Sequence, residues 1–213
     1  MRDMQSLTTL IKKLFNSKKQ NGSSQNIYFI LRHGETPYQL KEDMHYPWPE
    51  PKDGPVLLTE RGKDHIEQVT KELKRENINL IFSSDINRAR QTAEIVTKEL
   101  GIKATFDQRL RDIHYGIYHG KTRKEFYKDF PNTIERFKTA PPEGESWSEC
   151  RKRVDDFLKS VESKYQGKKI LIVGHGDPLW LLEALIKGKT DEELLKEKLE
   201  GRIIKTGELR RMS

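Results

Sequence analysis

Two short runs place a histidine between arginine, glycine and carboxylate residues: Arg32-His33-Gly34-Glu35-Thr36-Pro37 and Gly174-His175-Gly176-Asp177-Pro178. Two further runs supply more arginines and one more carboxylate. They are Ser83-Ser84-Asp85-Ile86-Asn87-Arg88-Ala89-Arg90-Gln91-Thr92-Ala93 and Leu110-Arg111-Asp112-Ile113-His114-Tyr115-Gly116. Brought to one point, two histidines, at least two arginines and a carboxylate suit a phosphoryl group. Cations bind it, and the turns at Gly34–Pro37 and Gly176–Pro178 can aim helix N-terminal N–H groups at it. Glycine beside each histidine lets backbone approach a ligand closely. A neutral imidazole can attack phosphorus and form a phosphohistidine. The in-line transition state spreads negative charge over three oxygens, which Arg32, Arg88 and a second histidine could hold. A carboxylic acid must protonate the leaving alkoxide and then take a proton from water, and Asp112 is the candidate. This chemistry requires no metal or other cofactor, and the sequence offers no adequate metal cage.

The elements that must position these residues can be read from periodicity. Ile27–Leu31, Asn79–Phe82, Lys103–Phe106 and Lys169–Val173 read as strands, and Ile203–Leu209 as a candidate last strand. Helices are expected over Thr59–Arg75 with Thr59 as N-cap, Asn87–Leu100, Ser146–Tyr165 capped by Ser146, and Asp177–Ile186 capped by Asp177 with Pro178 first in the helix. Thr190–Leu199 is another, opened by the capping-box sequence Thr190-Asp191-Glu192-Glu193. Strands alternating with helices predict an α/β fold whose mostly parallel sheet is covered on both faces. In such folds ligands bind outside the carboxyl ends of the strands, where all four reactive runs fall.

Composition excludes several classes. The chain has 213 residues, one domain's worth with appendages. No apolar stretch approaches the roughly 18 residues of a membrane span. Cys150 is the only cysteine, which excludes an intramolecular disulfide framework and fits a reducing, cytoplasmic compartment. The formal charge is +7, but residues 1–26 hold +4 of it and residues 187–213 another +2. The high pI therefore belongs to the chain ends, and a nucleic-acid partner is not expected. Met4, Leu7, Leu10, Ile11, Leu14 and Phe15 recur at helical spacing beside lysines, ahead of a polar linker over Asn16–Gln25. That extension, residues 1–26, suits a helix on an anionic membrane surface, a transit peptide, or a helix that docks on this chain or another protein chain.

The same runs resemble the histidine phosphatase superfamily, in the branch that holds the cofactor-dependent phosphoglycerate mutases and related phosphatases. The similarity spans about Ile27 to Leu185. It is carried by Leu31 to Thr36, Leu58-Thr59-Glu60-Arg61-Gly62, Ser84 to Ala93, Leu110 to Gly116, Pro142-Glu143-Gly144-Glu145-Ser146-Trp147, and Ile172 to Gly176. The resemblance implies a three-layer α/β/α sandwich, phosphoglycerate mutase-like, over residues 27–213. It makes His33 the nucleophile, has Arg32 and Arg88 hold the phosphoryl group with His175 in support, and puts Asp112 at the acid position. Gly34, Glu35, Thr36, Gln39, Gly176 and Asp177 fall at substrate-binding positions. Asp112 stands where this branch usually has Glu, so the proton donor is one methylene, about 1.5 Å, shorter. Gln39 stands where many relatives have Asn, and Asp177 where many have a second Gly.

Hydrolysis is the expected reaction. The family's mutases carry a long covering insertion after the acid loop, whereas only Ile117–Pro141, 25 residues, separate Gly116 from Pro142 here. The expected function is thus a metal-independent phosphomonoester hydrolase acting on a small phosphorylated substrate. The alternatives are a mutase-type phosphoryl transfer and a non-catalytic module that binds phosphorylated ligands. The long connection Tyr38–Leu58 is expected to wall the pocket as a lid, with His114, Tyr115, Tyr118 and His119 also candidates for its lining. A homodimer is compatible with the sequence.

Overall fold

The computed structural model describes residues 25–41 and 54–212. Among the described residues, five strands form one sheet: β1 (Ile27–Arg32), β2 (Leu80–Ser83), β3 (Ala104–Phe106), β4 (Lys169–Gly174) and β5 (Leu209–Met212). Their spatial order is β3-β2-β4-β1-β5, parallel except for β5, which pairs antiparallel with β1. The helices are α1 (Glu60–Lys74), α2 (Asn87–Leu100), α3 (Arg123–Asp129), α4 (Thr133–Lys138), α5 (Trp147–Lys164), α6 (Gly176–Lys187) and α7 (Asp191–Leu199).

Alternation along the central strands builds the three layers. Tyr28, Ile30, Ile170 and Ile172 pack on one face against Phe157, Leu158 and Val161 of α5 and Leu179 and Leu182 of α6. Phe29, Leu31, Leu171 and Val173 pack on the other against Ile66, Val69 and Leu73 of α1 and Ala89, Ala93 and Val96 of α2. Both faces are buried, which is why β1 and β4 read as unbroken apolar runs instead of alternating ones.

Thr59, Ser146 and Thr190 cap their helices through the hydroxyl, as the sequence predicts. Two expectations need correction. Asp177 does not cap its helix: His175 is the N-cap, without a side-chain cap bond, and α6 begins at Gly176. The last strand begins at Leu209, where the expected one ended. Ile203–Glu208 is instead a turn, its Ile204 fully buried, and Gly207 N–H donates to the His33 carbonyl at 3.0 Å. The 25-residue connection also holds two short helices, α3 and α4, beyond those the periodicity predicts. The expected helix over Met4–Phe15, nearly all of the linker, and the middle of the Tyr38–Leu58 connection lie outside the described residues. No helix among the described residues is long and apolar enough to cross a membrane.

One glycine is fixed by packing. A Cβ on Gly62, in the first turn of α1, would lie 2.4 Å from the Glu35 carbonyl oxygen and 2.9 Å from its nitrogen. Both are backbone atoms of the loop that follows His33, so neither can swing away. Gly62→Ala is expected to destabilise the fold by roughly 1–3 kcal/mol through overpacking, read as a lowered melting temperature. An unchanged melting temperature would show that the loop and helix are less closely apposed.

Candidate active site

The register of the sheet juxtaposes the reactive runs. Arg32 at the end of β1 pairs with Gly174 at the end of β4, and Ser83 at the end of β2 pairs with Val173. Because β4 lies between β1 and β2, the loops leaving all three strands emerge side by side. His33 N–H donates to Gly174 O at 3.0 Å, and Ser84 N–H to Val173 O at 3.0 Å. His33, Ser84 and His175 are thereby held as neighbours, and the two imidazole centroids are 5.3 Å apart.

His33 is buried, and its two nitrogens have distinct surroundings. Nδ1 lies 2.8 Å from the Gly34 carbonyl oxygen, so it carries the proton. The lone pair of Nε2 then accepts from Arg88 Nε–H at 3.3 Å. A lone pair on Nε2 of a neutral ring is the form a nucleophile needs. Burial, followed by the charges of Arg88, His175 and Arg32, holds the His33 ring well below the ordinary histidine range. Burial likewise holds His175 down, with Arg88, Arg32 and Arg153 adding to it.

Arg88 enters from the first turn of α2 and is fully buried. Besides reaching His33, it donates from Nη2 to Asp112 Oδ2 at 2.8 Å. Asp112 Oδ2 also stands 3.7 Å from His175 Nδ1, which has no hydrogen-bond partner among the described residues. Arg32 donates from Nη1 to Ile204 O at 3.0 Å, and its buried Nε has no partner among them either. Burial pushes the Arg32 guanidinium down from its ordinary value, partly offset by Asp112 and Asp177. Gly176 packs closely beside it: a Cβ there would sit 3.2 Å from Arg32 Cζ, a tight contact. Among the described residues, Arg32 Nε–H and His175 Nδ1 are buried without partners, which leaves hydrogen-bonding capacity in the site for a ligand.

His33, Arg32, Arg88, Asp112 and His175 therefore converge. The other predicted site residues are engaged otherwise. Glu35 accepts from Thr59 Oγ1 at 2.8 Å and pairs with Arg61, which ties the loop to the start of α1. Gln39 Oε1 accepts from Thr36 N and Oγ1, both at 2.7 Å, and so closes a short 3₁₀ turn. Gly34 N–H donates to Thr92 Oγ1. Asp177 accepts from Tyr115 Oη and Trp147 Nε1, each at 3.2 Å, and pairs with Lys198. Although burial works against it, these partners, Lys198 foremost, hold its carboxyl below the ordinary range. Tyr118 donates to Asp129 at 2.7 Å; that bond, burial and the Asp129 charge push its phenol up to about 12. His114 Nδ1 accepts from Gly116 N–H at 3.1 Å, and His119 Nδ1 is buried without a partner among the described residues.

Sequence reasoning assigned no role to the residues that hold the acid loop. Arg153, on the inner face of α5 between Cys150 and Val154, grips Glu145 at 2.6 and 2.8 Å. It also donates to the carbonyls of Arg109 and Asp112 at 2.7 and 3.1 Å. Arg111 makes a two-pronged pair with Asp85, at 2.7 and 2.6 Å, joining the acid loop to the β2 loop. An arginine on an otherwise apolar helix face was the signal for Arg153. Among the described residues no group of three or more His, Cys, Asp or Glu is placed to hold a metal ion.

Two buried, neutral histidines give a stability signature. Unfolded, each titrates near 6.5; folded, each resists protonation. Below that pH the unfolded chain binds protons the native chain does not, so stability falls with falling pH by up to about 1.4 kcal/mol per unit per histidine. The urea midpoint is expected to drop between pH 7.5 and 5.5 in phosphate-free buffer, and to drop less in His33→Asn. Equal slopes would mean that His33 is not held neutral.

Residues 28–202 match the family model described as the histidine phosphatase superfamily (branch 1). The chain is 32% identical over 165 residues to the probable phosphoglycerate mutase GpmB of Escherichia coli, covering 75% of this chain and 74% of that one. Bacillus stearothermophilus YhfR superposes with a TM-score of 0.67 at 30% identity, over 79% of this chain and 83% of that one. The mycobacterial glucosyl-3-phosphoglycerate phosphatase superposes with a TM-score of 0.74 at 22% identity, over 87% and 88%, a likeness of fold. With most of its length matched by the family model, the chain belongs to branch 1 of the histidine phosphatase superfamily.

Proposed function

We propose that the protein is a phosphomonoester hydrolase that works through a phosphohistidine on His33, with Asp112 as general acid and base. The observation that carries this reading is the His33 ring: Nδ1–H is committed to the Gly34 carbonyl and the Nε2 lone pair faces Arg88 and the Asp112 side of the site. In the first half-reaction Nε2 forms a bond to phosphorus as the ester P–O bond breaks, and the leaving alkoxide takes the proton of the Asp112 carboxyl. In the second, Asp112 takes a proton from water, the water oxygen bonds to phosphorus, the P–N bond breaks, and His33 returns neutral. Arg88, Arg32 and His175 hold the equatorial oxygens throughout.

Small phosphorylated acids and sugars form the substrate class. The E. coli relative is named for phosphoglycerate and the mycobacterial structure for glucosyl-3-phosphoglycerate. One catalytic domain over residues 27–213, preceded by a basic extension, and a cytoplasmic setting complete the reading; the lone, buried cysteine supports the latter.

The test is phosphate release in EDTA from a panel of alkyl phosphates and p-nitrophenyl phosphate, with wild type beside Asp112→Asn. Alkyl esters need their leaving group protonated, so the variant is expected to lose about 10²–10⁴ in kcat on them. It should lose much less on p-nitrophenyl phosphate, whose leaving group departs as the anion. Equal losses on both would remove Asp112 as the acid. The E. coli relative's name favours a second reading, a phosphoglycerate mutase. Primer-dependent interconversion of 3- and 2-phosphoglycerate without phosphate release would replace hydrolysis with that reading.

A further inference from the structure

Ser84 is the first residue after β2, and its role follows from counting protons around His175. Both residues are fully buried. Ser84 Oγ lies 2.9 Å from His175 Nε2. The same oxygen accepts from Ile86 N–H at 3.3 Å, and these are its only partners among the described residues. Two arrangements of the hydrogens exist. In one, His175 Nε2–H donates to Ser84 Oγ. The hydroxyl proton then has no acceptor among the described residues, and the Nδ1 lone pair faces Asp112 Oδ2 at 3.7 Å, acceptor against acceptor. In the other, Ser84 O–H donates to Nε2, and the ring proton resides on Nδ1. Every group is then satisfied or aimed at an acceptor.

We infer that Ser84 is a positioning residue that fixes His175 as its Nδ1–H tautomer, so that the neutral ring presents a hydrogen-bond donor beside Asp112 to the phosphoryl oxygens. The consequence for turnover rests on the phosphohistidine reading given above; the tautomer itself does not. The two histidines then share one logic. His33 is set with its proton on Nδ1 by a backbone carbonyl and offers a lone pair at Nε2. His175 is set with its proton on Nδ1 by a hydroxyl and offers that proton.

Long-range 1H–15N correlation spectra of the full chain, assigned through His175→Gln, read the tautomer directly. In wild type at pH 7.5, His175 is expected to show a protonated Nδ1 and an unprotonated Nε2. In Ser84→Ala that pattern should shift toward Nε2–H or a mixture. On substrates that wild type hydrolyses, kcat should fall about 10- to 100-fold, the range seen when a partner that orients a ligating histidine is removed, with KM moving less. Ser84→Thr, which keeps the hydroxyl, should restore the wild-type spectrum and most of the rate. A wild-type His175 that is Nε2–H overturns the inference without any variant. So does an unchanged pattern, or an unchanged kcat, in Ser84→Ala. If wild type hydrolyses nothing, the hydrolase reading falls while the tautomer assignment is still decided by the spectra.

Discussion

His33→Ala is expected to reduce phosphate release by a factor on the order of 10⁴–10⁶, the scale on which removing a covalent nucleophile acts elsewhere. Among the described residues, nothing else in the site can replace it. The nearest imidazole among them, His175, has Nε2 engaged by Ser84 and Nδ1 turned to Asp112. Asp112 is tied to Arg88, and a carboxylate so close to the binding arginines is better placed to move protons than to attack. The wild-type enzyme mixed with substrate and quenched within milliseconds should carry an acid-labile phosphoryl group, and His33→Ala should carry none. Residual turnover within tenfold of wild type, or a trapped phosphoryl group in the variant, would sink the phosphohistidine mechanism. Circular dichroism would verify that the variant folds, since the ring it loses is buried.

Arg88→Lys is the second large effect. The guanidinium reaches two targets with one rigid fork: Nε–H to His33 Nε2 and Nη2–H to Asp112 Oδ2. Lysine keeps the charge but is a single point on a flexible stem, so it cannot serve nucleophile and acid together or hold two phosphoryl oxygens. The expected loss in kcat is on the order of 10²–10³. Arg88→Ala should lose more, about 10³–10⁵, as when a transition-state arginine is withdrawn. The fork also relates the two half-reactions. Under the proposed phosphohistidine mechanism, Arg88 exchanges Nε2 and Asp112 for the phosphoryl oxygens when substrate binds, which frees the proposed nucleophile and acid together. If Arg88→Lys kept near-wild-type kcat, a simple positive charge would suffice there, and the two-pronged role would be wrong.

Most of the candidate site is legible in the sequence, for a physical reason. In a parallel sheet, reactive residues gather at strand carboxyl ends, and β1, β2 and β4 are apolar runs that make the runs at Arg32-His33, Ser84 to Arg88 and His175 stand out. The Asp112 run follows the weaker signal of Ala104–Phe106, a short and half-buried strand. Helix starts were legible where a hydroxyl caps them, at Thr59, Ser146 and Thr190, because capping is local. The same local signal stands at Thr122-Arg123-Lys124-Glu125, a capping box that opens α3. The helix is only seven residues long, too short for an apolar period to stand out. The last strand was misplaced because Ile203 and Ile204 look like a strand. Ile204 is buried for another purpose, lining the core while its carbonyl receives Arg32.

Local signals in the chain place two histidines, several arginines and a carboxylate, a set suited to a phosphoryl group, at the ends of alternating strands and helices. That information is local: apolar runs, caps, glycines and charges within a few positions of one another. Which of those residues meet depends on packing between distant parts of the chain. The insertion of β4 between β1 and β2 puts His33, Ser84 and His175 side by side, though 142 positions separate the two histidines. Asp177, which as a sequence feature looked like a cap or a ligand contact, instead closes a buried cluster with Tyr115, Trp147 and Lys198. Arg153 became the clamp of the acid loop only once Glu145 and the Asp112 carbonyl lay against it. Hydrogen-bond partners of buried charges are set by long-range packing, because a desolvated ion accepts whichever complementary group the fold brings within reach.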